Sequence, residues 1–371
     1  MNKEWPLCGR YVHLSGGLGA INAPGSNIVK VESIPSSSES ISFSINNYGD
    51  LYSEIIKLNF NIIGIEFIHD NKVISGENPA EWRSYSDQAD CWKNSDAQQR
   101  WAQLSISSVH NKNGLCYDLS SRIRYQLESA NQRLKELSNS YHDQLKSIVL
   151  SDKIPKQNRR LQNGFTDIVY QRFQTFLFDI CILRDYLSEF LYHYSRNGEL
   201  HIDRKEITTA GGLFKLLKSS TTRTELECKF FEIMSEHGWL KELGAYRDLV
   251  MHSAPINIAN HRLYCIEESI TTISNDKIRS IRFPIHGNPD EVFKKRANRN
   301  NFEQYFNEMK LIAQATAMEH GKYDCLDYAC SALQNMSNLA LEVATIAPIK
   351  PVMQCLIKTP TGIISRFEEI S

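Results

Sequence analysis

Between Ala245 and Pro255 the chain reads AYRDLVMHSAP, and two of these residues can do chemistry that their apolar neighbours cannot. Arg247 offers a planar, permanently charged fork that grips phosphate oxygens and steadies negative charge as it grows. His252 can move protons near neutral pH, and a helix C-terminus favours its charged form. Together they suit cleavage of RNA without a metal. The ribose 2′-hydroxyl would attack the adjacent phosphate, with histidine as base or acid and arginine steadying the pentacoordinate transition state. Positions five apart on an ideal helix differ by about 140°, so these two do not share a face as i, i+4 pairs do. Convergence is expected either at the helix end, where Pro255 forces the backbone out of the helical region, or across a two-fold interface to which each subunit contributes. The competing structural reading is that Arg247 pairs with a carboxylate on its own helix and His252 merely ends it.

The elements around this stretch read as helical. A stripe of Leu119, Ile123, Leu127, Ala130, Leu134, Leu137, Tyr141, Leu145 and Ile148 recurs in steps of three and four. A second stripe follows in Phe165, Val169, Phe173, Phe176, Ile180, Leu183, Leu187, Phe190 and Tyr194. Two such stripes joined by the polar linker SDKIPKQNRRLQNG predict an antiparallel pair of long helices packed into a core. Ser95 with Gln98, and Thr224 with Glu227, have the spacing of capping boxes. RLYCIEESITTISNDKIRSIRFPI alternates around Asn275–Asp276 and predicts a hairpin. Asn288-Pro289 marks a helix start, with further helices over Asp290–His320 and Tyr323–Thr345. Tyr52–Ile68 reads as one helix running into a short strand, and the rest of the first hundred residues is less regular. The expectation is an all-α fold: a helical bundle with two long antiparallel helices, a small β-hairpin and a mixed N-terminal region. Its divisions are 1–93, 94–262 and 263–371.

Composition narrows the function. Lysine and arginine number 42 against 43 aspartates and glutamates, a formal charge of -1, so any nucleic-acid contact must come from local patches. Lys294, Lys295, Arg296 and Arg299, beside Phe293 and Phe302, form one such patch, and Arg159-Arg160 in the linker form another. Each is either a solvated face or a contact for the RNA backbone. Nine cysteines are scattered singly without a C-x-x-C pair, which predicts reduced, mostly buried thiols. SGGLGAINAPGS (Ser15–Ser26) resembles a phosphate loop only superficially, because no Gly-Lys-Ser/Thr closes it. His252, His261 and Cys265 match no common zinc spacing, and His193 and His201 read as surface residues flanking a turn. No metal or cofactor is expected. The N-terminal residues lack an apolar run with a cleavage site, and no segment is long enough to span a bilayer, which predicts a cytoplasmic protein without membrane contact.

YRDLVMH resembles the R-x4-6-H signature of HEPN domains, including the polar residue directly after the arginine. By this resemblance the HEPN part covers about Phe165–Pro255, with the preceding long helix as an extension. The family implies a homodimer whose paired motifs form a metal-independent ribonuclease centre, common in toxin–antitoxin, abortive-infection and CRISPR-linked systems. Arg247 would then bind phosphate, His252 would transfer protons, and Asp248 would orient one of them. One branch of the family, paired with a nucleotidyltransferase antitoxin, has a tyrosine two residues after the histidine. Ala254 stands there, so control by modification of that tyrosine is not expected. The resulting expectation is an endoribonuclease of bacterial antiphage defence or a toxin, acting on RNA, with an antitoxin or defence-system protein as partner. The alternative is a non-catalytic HEPN-like adaptor or inhibitory partner.

Overall fold

The structure is a computed structural model that describes residues 8–34, 40–86, 92–152, 154–195, 206–252, 264–271, 277–295, 300–308, 310, 323–359 and 362–369. The chain divides into two compact units, each assembled from separated stretches. One comprises Met1–Trp92, Asn131–Leu177 and Ala245–Ser331; the other comprises Lys93–Ala130, Phe178–Gly244 and Ala332–Ser371.

In the first unit, β1 (Gly9–Leu14), β2 (Gly19–Asn22), β3 (Ile28–Glu32), β4 (Ser40–Ser44), β5 (Ile62–Ile68) and β6 (Glu81–Ser84) form one antiparallel sheet. Its order is β4-β3-β2-β1-β5-β6, with α1 (Tyr48–Lys57) carried on the crossover between β4 and β5. The expected all-α class is therefore wrong. The strands are only four to seven residues long and are joined by Ser- and Gly-rich turns, so they lack the long periodicity that made the helices legible. The helix running into a short strand expected over Tyr52–Ile68 is present, as α1 followed by β5. Asn59 takes a left-handed φ of 60° just past α1, which Asn tolerates and which ends the helix. The β-branched run IIGIEFI then enters the sheet beside β1.

SGGLGA turns out to be the tight connection between β1 and β2. Gly17 has φ 78°, and a Cβ there would lie 2.8 Å from the carbonyl oxygen of Tyr141. The glycine is needed both for its backbone angle and for the close approach of a helix.

Two long helices dominate the rest: α3 (Lys93–His110) precedes them, then α4 (Gly114–Ser151) and α5 (Gly164–Tyr194). All nine stripe residues expected on α4 are buried; on α5 only Phe165, at its first turn, is exposed. Their antiparallel course shows within each unit. In the second unit Arg122 meets Glu189 and Ser129 meets Asp179; in the first, Glu136 meets Arg172 and Gln144 meets Thr166. The linker between the helices contains a strand that the sequence did not suggest, β7 (Arg159–Leu161). It extends the expected hairpin, β8 (Cys265–Thr271) and β9 (Lys277–Arg282), into a three-stranded sheet.

Short helices complete the second unit: α6 (Ala210–Ser219), α7 (Glu225–Ile233) and the start of α8 (Trp239–His252). The Thr224–Glu227 capping box forms as expected. Ser95 does not cap, because α3 begins two residues earlier and Gln98 bonds Asn94. Further on, α9 (Pro289–Lys295) starts where expected and residues 302–308 are helical too, while α10 (Cys325–Ala344) is followed by a β10 (Val352–Thr359) and β11 (Gly362–Glu369) hairpin absent from the sequence reading.

Trp101 sits at the centre of the second unit. It is fully buried, lies edge-on to Phe190 at 4.8 Å and donates its indole N–H to the Ala340 carbonyl at 3.1 Å. Trp101→Ala is expected to lose about 3–5 kcal/mol of stability, the usual range for a large core aromatic. Thr224→Ala, which removes one cap, is expected to lose about 1 kcal/mol. Denaturant melts of the two variants should rank them in that order.

Candidate functional site

The motif lies on α8. A turn through His237 (φ 68°) and Gly238 starts this helix, and a Cβ on Gly238 would collide with the Ile233 carbonyl at 2.1 Å. Leu240, Leu243, Tyr246 and Leu249 recur every three residues and are buried. In the first unit Tyr246 fixes the later half of the helix. Its hydroxyl donates to the His286 carbonyl at 2.6 Å, and its ring meets Tyr328 of α10 edge-on at 4.8 Å.

With Tyr246 turned inward, Arg247 and Asp248 fall on the outer side. Their side chains are 32% and 44% exposed, and Met251, one turn on from Arg247, is exposed too. Arg247 Nε lies 3.2 Å from Asp248 Oδ1, close enough for an ion pair but too poorly aligned for a hydrogen bond. Among the described residues no other ion pair engages Arg247, so the two Nη groups of its fork carry no carboxylate. Arg247 is thus paired with a carboxylate of its own helix, as the competing structural reading expects, and among the described residues that pairing is through Nε alone. The helix continues unbroken to His252, whose side chain lies outside the described residues. Along the chain Asp248 stands between the arginine and the histidine.

The expected RNA contacts are distributed as follows. Lys294 is exposed on α9, Lys295 ends that helix, and Arg296 and Arg299 lie outside the described residues. Arg159 is engaged by Glu267 at 2.6 Å and Asp152 at 2.7 Å, clamping β7 to β8. Arg160 is exposed and stands over the Tyr264 ring at 4.9 Å. His261 and His201 lie outside the described residues, while Cys265 is buried in β8.

A cluster that sequence reasoning missed joins the sheet to α4. His13 Nε2 lies 2.8 Å from Glu66 Oε1, and its Nδ1 lies 3.0 Å from Ser138 Oγ. Lys135 Nζ bonds the other Glu66 oxygen at 2.8 Å. Serine, histidine and glutamate in sequence resemble a hydrolytic triad. Ser138 and His13 are both only 2% exposed, however, which closes this arrangement to substrate. Its role is to seat α4 on the sheet. Residues 13, 66 and 138 come from three distant segments, so no local spacing announced them.

The charges follow from burial. Desolvation, outweighing the hydrogen bond and charge of Glu66, holds the His13 imidazole below its usual 6.5. For Glu66, burial is outweighed by hydrogen bonds from His13 and Lys135, and its carboxyl stays below 4.5. His13 is thus neutral, beside a Glu66–Lys135 ion pair. A histidine whose folded pKa is depressed contributes stability above the unfolded pKa and loses it as pH falls. The stability difference between the protein and His13→Gln should accordingly shift against the wild type as pH falls below 6.5. A difference that stays constant through that range would show that His13 is not buried in its neutral form.

The site geometry stands without a relative to compare it with: no family model matches the chain, and neither the curated proteins nor the solved structures searched contain a match.

Proposed function

We propose that the chain is a metal-independent endoribonuclease of the HEPN type, active as a homodimer in antiphage defence or as a toxin. The observation that supports this reading is the Arg247 guanidinium. Elsewhere in the same unit, Arg159, Arg279 and Arg282 spend their donors on carboxylates or backbone oxygens. Among the described residues Arg247 makes one ion pair, through Nε, on the outward side of a helix whose last residue is the histidine the chemistry needs.

In the proposed reaction His252 removes the proton from a ribose 2′-hydroxyl, whose oxygen attacks the neighbouring phosphorus. The Arg247 Nη groups hold the non-bridging oxygens as negative charge builds, with the Asp248 carboxylate beside Nε. The 5′-oxygen leaves with a proton, and the other strand end keeps a 2′,3′-cyclic phosphate. The histidine of a second subunit supplies or receives the second proton, which accommodates the 140° or so between Arg247 and His252 on one helix. Lys294 and its neighbours would hold the RNA backbone, giving a salt-sensitive contribution to binding.

The test is incubation of the purified chain with single-stranded RNA in excess EDTA, followed by end-group analysis. Cleavage with cyclic phosphate ends is expected, reduced about 10²–10³-fold by Arg247→Ala and about 10²–10⁴-fold by His252→Ala. Intact RNA, or undiminished cutting by His252→Ala, would remove the nuclease reading. An adaptor would leave RNA whole, and host growth would be unaffected by expression of wild type and variants alike.

A further inference from the structure

His193 does not behave as the surface residue its sequence context suggested. It lies on α5 one turn after Glu189, and its side chain is 11% exposed. Its Nε2 is buried and accepts or donates no hydrogen bond among the described residues. Glu206 Oε1 lies 3.6 Å from it. Glu189, His193 and Glu206 each bring one donor atom into a space where all three lie within 4.8 Å of one another.

We infer that Glu189, His193 and Glu206 form a site for a divalent first-row transition ion of the zinc class. The donor set of one imidazole nitrogen and two carboxylate oxygens suits such ions better than calcium or magnesium, which prefer all-oxygen shells. The i, i+4 spacing places Glu189 and His193 on one helix face, so two ligands are set before the ion arrives. Glu206 is 63% exposed, and an inward rotation of its side chain would close the donors toward the roughly 2.0–2.2 Å bonds such an ion makes.

Two further features fit an ion here. Arg122 donates to both Glu189 oxygens, at 3.2 and 3.0 Å, and so fixes the buried carboxylate as an outer-shell partner does. Arg122 also pairs with Asp118 at 2.7 Å. Asp118, Glu189 and Glu206 carry three negative charges against the one positive charge of Arg122, and a divalent ion balances the remainder. Bound there, it would tie Glu206, just ahead of α6, to the last turns of α5.

The experiment uses the full chain, stripped with chelator and dialysed, and titrated with Zn²⁺ alone by calorimetry. Co²⁺ titration, read by its visible absorption, reports the ligand field. Saturable binding is expected, weakened by at least the ~10–100-fold that loss of even an outer-shell partner costs, in both His193→Ala and Glu206→Gln. Glu206 is exposed, so its variant keeps the fold and guards against a folding defect at His193. His69→Ala, which removes an exposed histidine paired with Glu81, should leave binding unchanged. No saturable binding by the wild type, or equal binding by Glu206→Gln, would overturn the assignment. These readouts are independent of RNA cleavage.

Discussion

The first unit depends on one buried carboxylate. Asp324 is 8% exposed and accepts hydrogen bonds from the Tyr141 hydroxyl of α4, from the Phe283 amide beyond β9, and from the Leu326 and Asp327 amides that open α10. Burial, together with the neighbouring Asp327 charge, pushes this carboxyl up to about 7. A carboxylate so placed persists only if its oxygens are satisfied, and three separate segments must therefore be held in fixed positions to supply the donors. Phe283 packs on Tyr141 at 4.6 Å and on Tyr170 at 5.5 Å, which adds an aromatic wall around the same point.

The seat of the motif follows from that constraint. Asp324 caps α10, and one turn later the helix presents Tyr328 to Tyr246. The same stretch that delivers the Phe283 amide leads on to His286, whose carbonyl accepts a hydrogen bond from the Tyr246 hydroxyl. Tyr246 is thereby held on two sides, and the next residue in the helix must face outward. The exposure of Arg247 is thus a consequence of packing at Asp324 and does not depend on any contact of its own. The His13–Glu66–Ser138 cluster does similar work on the sheet side of α4, through polar groups that are closed to solvent.

What the sequence made legible were features repeated over many residues. The stripe from Leu119 to Ile148 reads correctly at every position because a long buried face repeats the same requirement each turn. The Thr224–Glu227 box and the Asn288-Pro289 start were readable for a different reason: capping is local chemistry. The N-terminal sheet was missed because its strands are short and its register is set by neighbours in space. β1 pairs with β5, more than forty residues onward, and no periodicity records that pairing. Arg247 and Asp248 were readable as residue types, and their outward placement was not, since it comes from Tyr246, Tyr328 and His286 together.

Asp248 gives the motif its asymmetry. A guanidinium that meets an adjacent carboxylate at Nε keeps both Nη groups, the pair that makes bidentate contact with a phosphate. Had Arg247 met a carboxylate from another element through its Nη fork, as Arg122 meets Glu189, that contact would have been consumed within the fold. Because the pair is i, i+1 and partly exposed, it is weak as a stabilising interaction. Such a pair contributes little to folding. Positioning of Arg247 therefore falls to the tyrosines beneath it.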